Sequence, residues 1–427
     1  MKKAYGNEIK LGIFTVLLGA FCGAVIWLFL KVLDICTGFV WDVIPRETGI
    51  SYVPVIACAM LGLAAGLVRR HCGDYPEELP EVLGQIKKNR HYDYSKMAVM
   101  LVCSFIPLVL GASVGPEAGL TGIIAGLCYW VGDNTRYAKE HSEEYSEIGA
   151  AVTLGSLFHV PLFGIFAVEE PAEGEETHDS VMPKTSKLVL YGLSIAAAFL
   201  AMKGLSAVFG PAGEGMPSYE YSEVHAADYA LLLIYIPAGI ILYYAFWLSE
   251  KLCGKAAGLI PAVVKETLCG LAVGVMAMLV PEVLFSGEKQ MELLPDMSAA
   301  YGAAALMGIC LLKLFMTAFC IRFGLKGGHF FPVIFACSAM GFALALLLTG
   351  IGADSVFAAA TVTAAALGAQ MKKPLATSML LLICFPLRLV LWILVAAAIG
   401  SKAVSLQKRH GSGKCQKEIQ GLNKEQN

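Results

Sequence analysis

The chain has 427 residues, of which 57% are hydrophobic and 15% charged, with a net charge of -2 and a mean hydropathy of +0.66. Too little polar surface is available to cover a water-soluble globule of this size, so that class is excluded and a polytopic membrane protein embedded in a lipid bilayer is indicated. The near-neutral balance, with no basic-aromatic stripe, excludes a nucleic-acid partner.

Apolar runs lie at 11–33, 52–68, 97–113, 117–132, 188–210, 229–248, 267–285, 303–321, 330–350, 355–369 and 374–399, with shorter ones at 148–157 and 160–168. The first exceeds a signal-peptide core and has no small-residue cleavage site after it, so it is expected to remain as the first helix. Several later runs are too short to cross about 30 Å of hydrocarbon at 1.5 Å per residue, which predicts broken or re-entrant helices. The 44 glycines suit close helix packing and chain breaks within the membrane.

Charge between the runs gives an orientation. Lys2, Lys3 and Lys10 precede the first run, Arg69, Arg70, Lys87, Lys88, Arg90 and Lys96 surround the second loop, and Lys402, Lys408, Arg409, Lys414, Lys417 and Lys424 fill the tail. From Gly204 to Glu250 there is no Lys or Arg beyond that glycine, while Glu214, Glu220, Glu223 and Asp228 are present. The positive-inside rule therefore predicts cytoplasmic termini and an external loop around 211–228.

Thirteen cysteines and eight histidines are scattered. No two cysteines stand at CxxC spacing and no HExxH pair occurs, so neither a metal centre nor a disulfide frame is expected. Most cysteines fall in apolar runs and read as small buried hydrophobes. There is no phosphate loop and no serine nucleophile elbow, so no cofactor is expected and the chain does not read as an enzyme.

The informative residue is Glu117, in Ser113-Val114-Gly115-Pro116-Glu117-Ala118-Gly119-Leu120, a Gly/Pro-broken turn between two apolar runs. A carboxylate at such a depth costs about 3 kcal/mol or more and is a functional-site candidate by default, although a cap or a snorkelling acid is the bland alternative. Gly115 permits an unusual turn and Pro116 suits a first helical position, which predicts a helix starting there and running through Leu120 to Trp130.

The same frame returns 213 residues later. Gly111, Gly115, Glu117 and Gly119 fall on Gly324, Gly328, Phe330 and Pro332, and Pro161-Leu162 falls on Pro374-Leu375. Broken apolar segments at matching places in two halves point to a transporter's binding site. In Gly327-Gly328-His329-Phe330-Phe331-Pro332 two glycines free backbone amides ahead of a new helix, with His329 offering its backbone N–H. Two helix starts facing one another would hold an anion near the midplane.

Lys313-Leu314 with Thr317, then Gly324, Gly327-Gly328-His329-Phe330-Phe331-Pro332 and Gly341, resembles the CLC chloride channel and chloride/proton antiporter family. Val114 to Leu120 is similar to that family's Gly-Arg-Glu-Gly-Pro motif, which would make Glu117 the gating glutamate. Pro161-Leu162-Phe163-Gly164-Ile165-Phe166-Ala167-Val168-Glu169-Glu170 resembles the family's Pro-Leu-x-Gly-x-x-Phe-x-x-Glu-Glu stretch. Its second acid, Glu170, would be the internal proton-transfer glutamate, while the bland reading of this acidic pair is a solvated face. Pro76-Glu77-Glu78-Leu79-Pro80 stands where the family has Gly-Ser-Gly-Ile-Pro, so Glu77 replaces an anion-coordinating serine or else lies on the surface. The family's inner-gate tyrosine has no counterpart, since no tyrosine follows Tyr301.

The resemblance implies an all-α polytopic membrane protein of two inverted structural repeats with broken and re-entrant helices. Residues 1–210 are read as the first repeat, 211–400 as the second and 401–427 as a short cytoplasmic tail without a regulatory domain. The expected function is transport of a small anion, chloride or another halide, through a channel or in exchange for protons. The expected setting is the cell membrane, and a homodimer is implied by the resemblance. Gly115, Pro116, Gly328, His329, Phe330, Phe331 and Glu77 are the expected anion-binding positions. A carrier of another small anion or of an organic substrate, or an intramembrane enzyme, is the alternative.

Overall fold

The computed structural model describes residues 2–405 except 51, 74, 77–81, 83–92, 135–141, 172–183, 214 and 220–223. Glu77 and Glu78 thus lie outside the described residues. Helices dominate the rest. α1 (Lys2–Gly38) continues through a π-helical turn, Phe39–Val43, into α2 (Ile44–Thr48). α3 (Val53–Cys72), α4 (Met97–Val109), α5 (Glu117–Asn134), α6 (Ser142–Leu157), α7 (Pro161–Glu169) and α8 (Lys184–Phe209) complete the first half. The second half holds α9 (Ala226–Ala257), α10 (Ala262–Leu279), α11 (Glu288–Arg322), α12 (Phe330–Leu347), α13 (Ser355–Met371), α14 (Pro374–Leu381) and α15 (Leu387–Ser405).

Among the described residues, eight helical segments are long and apolar enough to cross a membrane. Others are short: α7, as its run length predicts, has 9 residues, and α14 has 8, each opened by a proline whose missing N–H suits a first turn.

The 213-residue offset reappears in the backbone. α5 and α12 match at both ends, with 18 residues each, and the starts of α6 and α13 and of α7 and α14 coincide under the same shift. Two positive backbone angles also recur: Gly111 (φ 81°) with Gly324 (φ 100°), and His159 (φ 53°) with Lys372 (φ 55°). The left-handed region is uncommon for a residue with a Cβ, so its return at matching non-glycine positions means that both halves make the same turn before their short proline-led helix.

α3 packs against α10, α1 against α8, α11 against α12, and α13 against α12 and α9. Small residues set the closest crossings. A Cβ on Gly62 would run into the α10 backbone at Glu266 and Gly270, and one on Gly270 would strike Cys58. With no hydrophobic force between helices in lipid, backbone approach of this kind is what dispersion and packing require. α12 lies at the centre, with 83% of its apolar stretch buried inside the protein.

Several boundaries differ from the apolar runs. The run 303–321 is the second part of α11, whose first part, from Glu288, carries Pro295 and too many polar residues to read as apolar; the two parts meet at Gly302, with φ 76°. The run 374–399 is two helices, α14 and α15, separated by a break at Pro386, which supplies no N–H to carry the first helix onward. α9 runs on to Ala257, past the last residue of its apolar run. Most of the described cysteines are buried, as their places in apolar runs predict.

Candidate anion site between two helix starts

Gly115 precedes α5 and Gly328 precedes α12. They meet as an isolated antiparallel pair, the N–H of each donating to the carbonyl of the other at 2.7 Å. Neither can carry a side chain in this arrangement: a Cβ on Gly328 would overlap the carboxyl group of Glu117, and one on Gly115 would overlap Glu117 Oε2. Glycine here is a requirement of close approach.

Glu117 opens α5 and is 1% exposed. Its Oε1 accepts the Phe330 N–H at 2.9 Å, at the first residue of α12 and 213 positions along the chain. Its Oε2 is buried without a hydrogen-bond partner. The first N–H groups of a helix are unsatisfied within the helix and sit at the positive end of its dipole. Glu117 therefore occupies, with its own carboxylate, the place where α12 would receive a free anion. The sequence brings Glu117 to a positive helix end, and the structure makes that end α12 as well as its own α5.

The remaining predicted positions divide. Pro116 leads into α5, its carbonyl accepting the Leu120 N–H at 3.0 Å. His329 is the N-cap of α12 and its ring packs between Phe246 and Phe330, with centroids 6.0 and 4.9 Å away. Phe331 stacks on Phe158 at 4.5 Å, and Phe330 meets the same ring edge-on at 6.3 Å, so the two phenylalanines form an apolar wall beside the glycine pair.

Glu170 lies apart from this cluster and follows the same logic. It caps α7, and its two oxygens accept the N–H groups of Leu375 (3.0 Å) and Ala376 (2.7 Å) in the first turn of α14. Lys373 beside them donates to the Ala167 carbonyl at 2.7 Å. Each of the two predicted acids, both from the first half, thus holds the N-terminus of a second-half helix. Glu169 turns elsewhere: it pairs with the buried Lys187 at 3.2 Å and accepts the Tyr191 hydroxyl at 2.8 Å, while Lys187 also pairs with Glu147.

Two cations that sequence reasoning did not connect to the site, Lys313 buried and Arg69 partly so, brace its turns. Lys313, fully buried, donates to the carbonyls of Val283, Leu284 and Phe285 at 3.1, 2.9 and 2.7 Å, and the Phe285 N–H in turn reaches the Gly111 carbonyl at 3.0 Å. Arg69 donates from Nη1 to Glu266 Oε1 at 3.0 Å and to the Gly324 carbonyl at 2.5 Å. A hydroxyl pair, Ser113 with Thr317 at 2.9 Å, joins the two halves between them. Among the described residues, no group of three or more His, Cys, Asp or Glu side chains could hold a metal ion.

Comparison with known proteins agrees with this architecture. The family profile described as voltage gated chloride channel matches residues 61–405. Proteins named "Putative ion-transport protein YfeO" from Salmonella newport (strain SL254) and Salmonella typhimurium (strain LT2) are each 24% identical over 372 residues, covering 84% of this chain and 85% of theirs. Among solved structures, a CLC-type fluoride/proton antiporter superposes with a TM-score of 0.71 at 17% identity, over 92% of this chain and 94% of that one. A slow cyanobacterial Cl-/H+ antiporter gives 0.70 at 17% identity, over 93% and 94% of the two chains. The fold is that of these transporters. With the profile matched over most of its length, the chain belongs to the voltage-gated chloride channel (CLC) family of anion-transport proteins.

Proposed function

We propose that the protein carries a small anion, chloride or another halide, across the cell membrane in exchange for protons, with Glu117 as the gate and Glu170 as the acid that passes protons from the cytoplasmic side. The observation that carries this reading is the bond from the Phe330 N–H to Glu117 Oε1: a carboxylate stands where an anion would stand. Protonation removes the charge that the α12 terminus holds, the side chain leaves, and an anion takes its place. Proton and anion thereby compete for one set of amides, which is the physical basis of exchange.

Gly115, Pro116, Gly328, His329, Phe330 and Phe331 are the anion-lining positions in this scheme, and Glu77, which lies outside the described residues, is a further anion-binding candidate. Both termini are cytoplasmic, residues 1–210 and 211–400 form the two inverted repeats, and the working unit is a homodimer. A passive anion channel uses the same architecture without coupling. Reconstitution into proteoliposomes, with chloride, fluoride and nitrate flux followed beside a pH electrode, tests the proposal. Anion-dependent proton movement is expected. Anion flux with no proton movement identifies a channel, and no anion flux at all overturns the assignment.

A further inference from the structure

Glu266, on α10, is 1% exposed and far from Glu117 and Glu170 in the chain. Its Oε1 pairs with Arg69, and its Oε2 is buried without a hydrogen-bond partner. Arg69 ends α3 and touches the Gly324 carbonyl with the same Nη1 that pairs with Glu266. Gly324 must be glycine here twice over: its φ is 100°, and a Cβ would collide with Arg69 Nη1 and Glu266 Oε1. The ion pair is therefore seated against the start of the turn whose other end, Gly328, is in contact with the Glu117 carboxyl.

Gly324 and Gly328 are four residues apart, so their α-carbons are at most about 14 Å apart. Charge at the two ends of such a turn is felt across it: at that range and an effective dielectric of about 20, an added anion changes the proton affinity of a carboxylate about tenfold. Glu170 has both oxygens committed to backbone N–H groups, whereas Glu266 has one that is not.

We propose that Glu266 is a second proton-binding acid of the transport pathway, with Arg69 as its counter-charge, and that it takes up a proton when a halide occupies the Gly328 end of the Gly324–Gly328 turn. The step is a simple transfer: a proton from water bonds to Glu266 Oε2 and the carboxylate charge is lost, which offsets the negative charge that the incoming anion brings. Among the described residues, the titratable and charged groups around the pair include Cys72 on α3, Cys103 on α4, Lys265 and Cys269 on α10, Cys253 on α9 and Cys320 on α11. None of these described groups is a carboxylate.

The proposal rests on the reading that a halide sits between the helix starts at Gly115 and Gly328, and the test separates the two. Chloride and fluoride binding to the full chain in detergent is measured by calorimetry at about pH 5 and about pH 8, in buffers of different ionisation heat so that proton uptake is read directly. In Glu117→Gln, whose gate no longer titrates, halide binding about tenfold tighter at the lower pH, with accompanying proton uptake, is expected from the charge separation above. Adding Glu266→Gln should flatten that profile, and Glu266→Asp in its place, an acid that restores the titration if the glutamine variant folds poorly, should keep it with a displaced midpoint. A flat profile in Glu117→Gln, no halide binding at either pH, or a slope unchanged by Glu266→Gln, which would hand the titration to His329, overturns the proposal. Identical halide affinity in Glu117→Gln and wild type would instead overturn the gate, while the Glu266 dependence could still be read in both proteins.

Discussion

Gly115 and Gly328 are the same residue of two repeated halves, and they bond to each other in both directions at 2.7 Å. Two equivalent positions can satisfy one another in this way when the axis relating the halves passes between them. The Glu117 carboxyl touches that pair, which puts an ionisable group close to the point where the two halves are nearest, and Phe330, the residue matching Glu117, contributes a backbone N–H in place of a second acid.

Glu117→Gln imitates the protonated side chain. Proton movement is expected to fall at least tenfold while anion flux persists and loses most of its pH dependence, because the amide carries no charge for the α12 terminus to hold. Flux and proton traces recorded together in proteoliposomes check this, and a mutant with the wild-type pH profile would contradict the gate.

Glu170→Gln keeps one carbonyl oxygen for the first turn of α14 and removes the titrating charge. Proton transport should drop while anion permeation continues, with stability lowered by about 1 kcal/mol through the weaker cap. An unchanged proton flux would reduce Glu170 to its capping role.

Gly328→Ala places a methyl group inside the Glu117 carboxyl. Overpacking of this kind costs about 1–3 kcal/mol, and here the simplest relief is to expel the glutamate from the α12 terminus. The variant should conduct anions with weakened proton coupling, resembling Glu117→Gln in a flux assay. Wild-type coupling would show that the glycine is not needed for approach.

Lys313→Met leaves three carbonyls, two of them buried, without their donor. At about 1–3 kcal/mol for each unsatisfied group, partly relieved by relaxation, the loss should reach about 3 kcal/mol or more, seen as a lower thermal midpoint in detergent. A midpoint within a degree or two of wild type would mean that the 283–285 turn holds itself.

Asp354 caps α13 through the Phe357 N–H at 2.6 Å, outside the membrane-spanning segments. Burial, with Asp228 nearby, pushes its carboxyl above the usual carboxylate range. A raised acid favours the folded state most when protonated, so this contribution is present below the unfolded-state pKa and is lost as pH rises through the folded one. Wild type should therefore gain stability as pH falls toward that range, and Asp354→Asn, which keeps an acceptor without the charge, should show a flatter profile. Equal pH dependence of the thermal midpoints would remove Asp354 as the cause.

Much of the site was legible because it is written in short, local signals. Gly115-Pro116-Glu117 and Gly327-Gly328 announce chain breaks by the conformations those residues permit, and the repeat places them in register. The braces were not legible. Arg69 and Glu266 stand 197 positions apart, each at the flank of an apolar run, where a charge reads as a marker of the membrane edge; only packing of α3 on α10 turns them into a pair. The break between α14 and α15 was hidden for the opposite reason, since an apolar run reports composition and is silent about where hydrogen bonding stops. The first part of α11 escaped notice because its polar residues and Pro295 suppress the apolar signal.

Lys313 belongs to the second half and steadies, through Phe285, the turn at Gly111 in the first; Arg69 belongs to the first half and steadies the turn at Gly324 in the second. Each half is thus clamped by a cation rooted in the other. Rocking one half against its partner would tear both clamps from their carbonyls at once, at a cost of several kcal/mol. Bracing of this kind resists movement of one half against the other, and the gating proposed for Glu117 asks only for the swing of a single side chain past a fixed backbone.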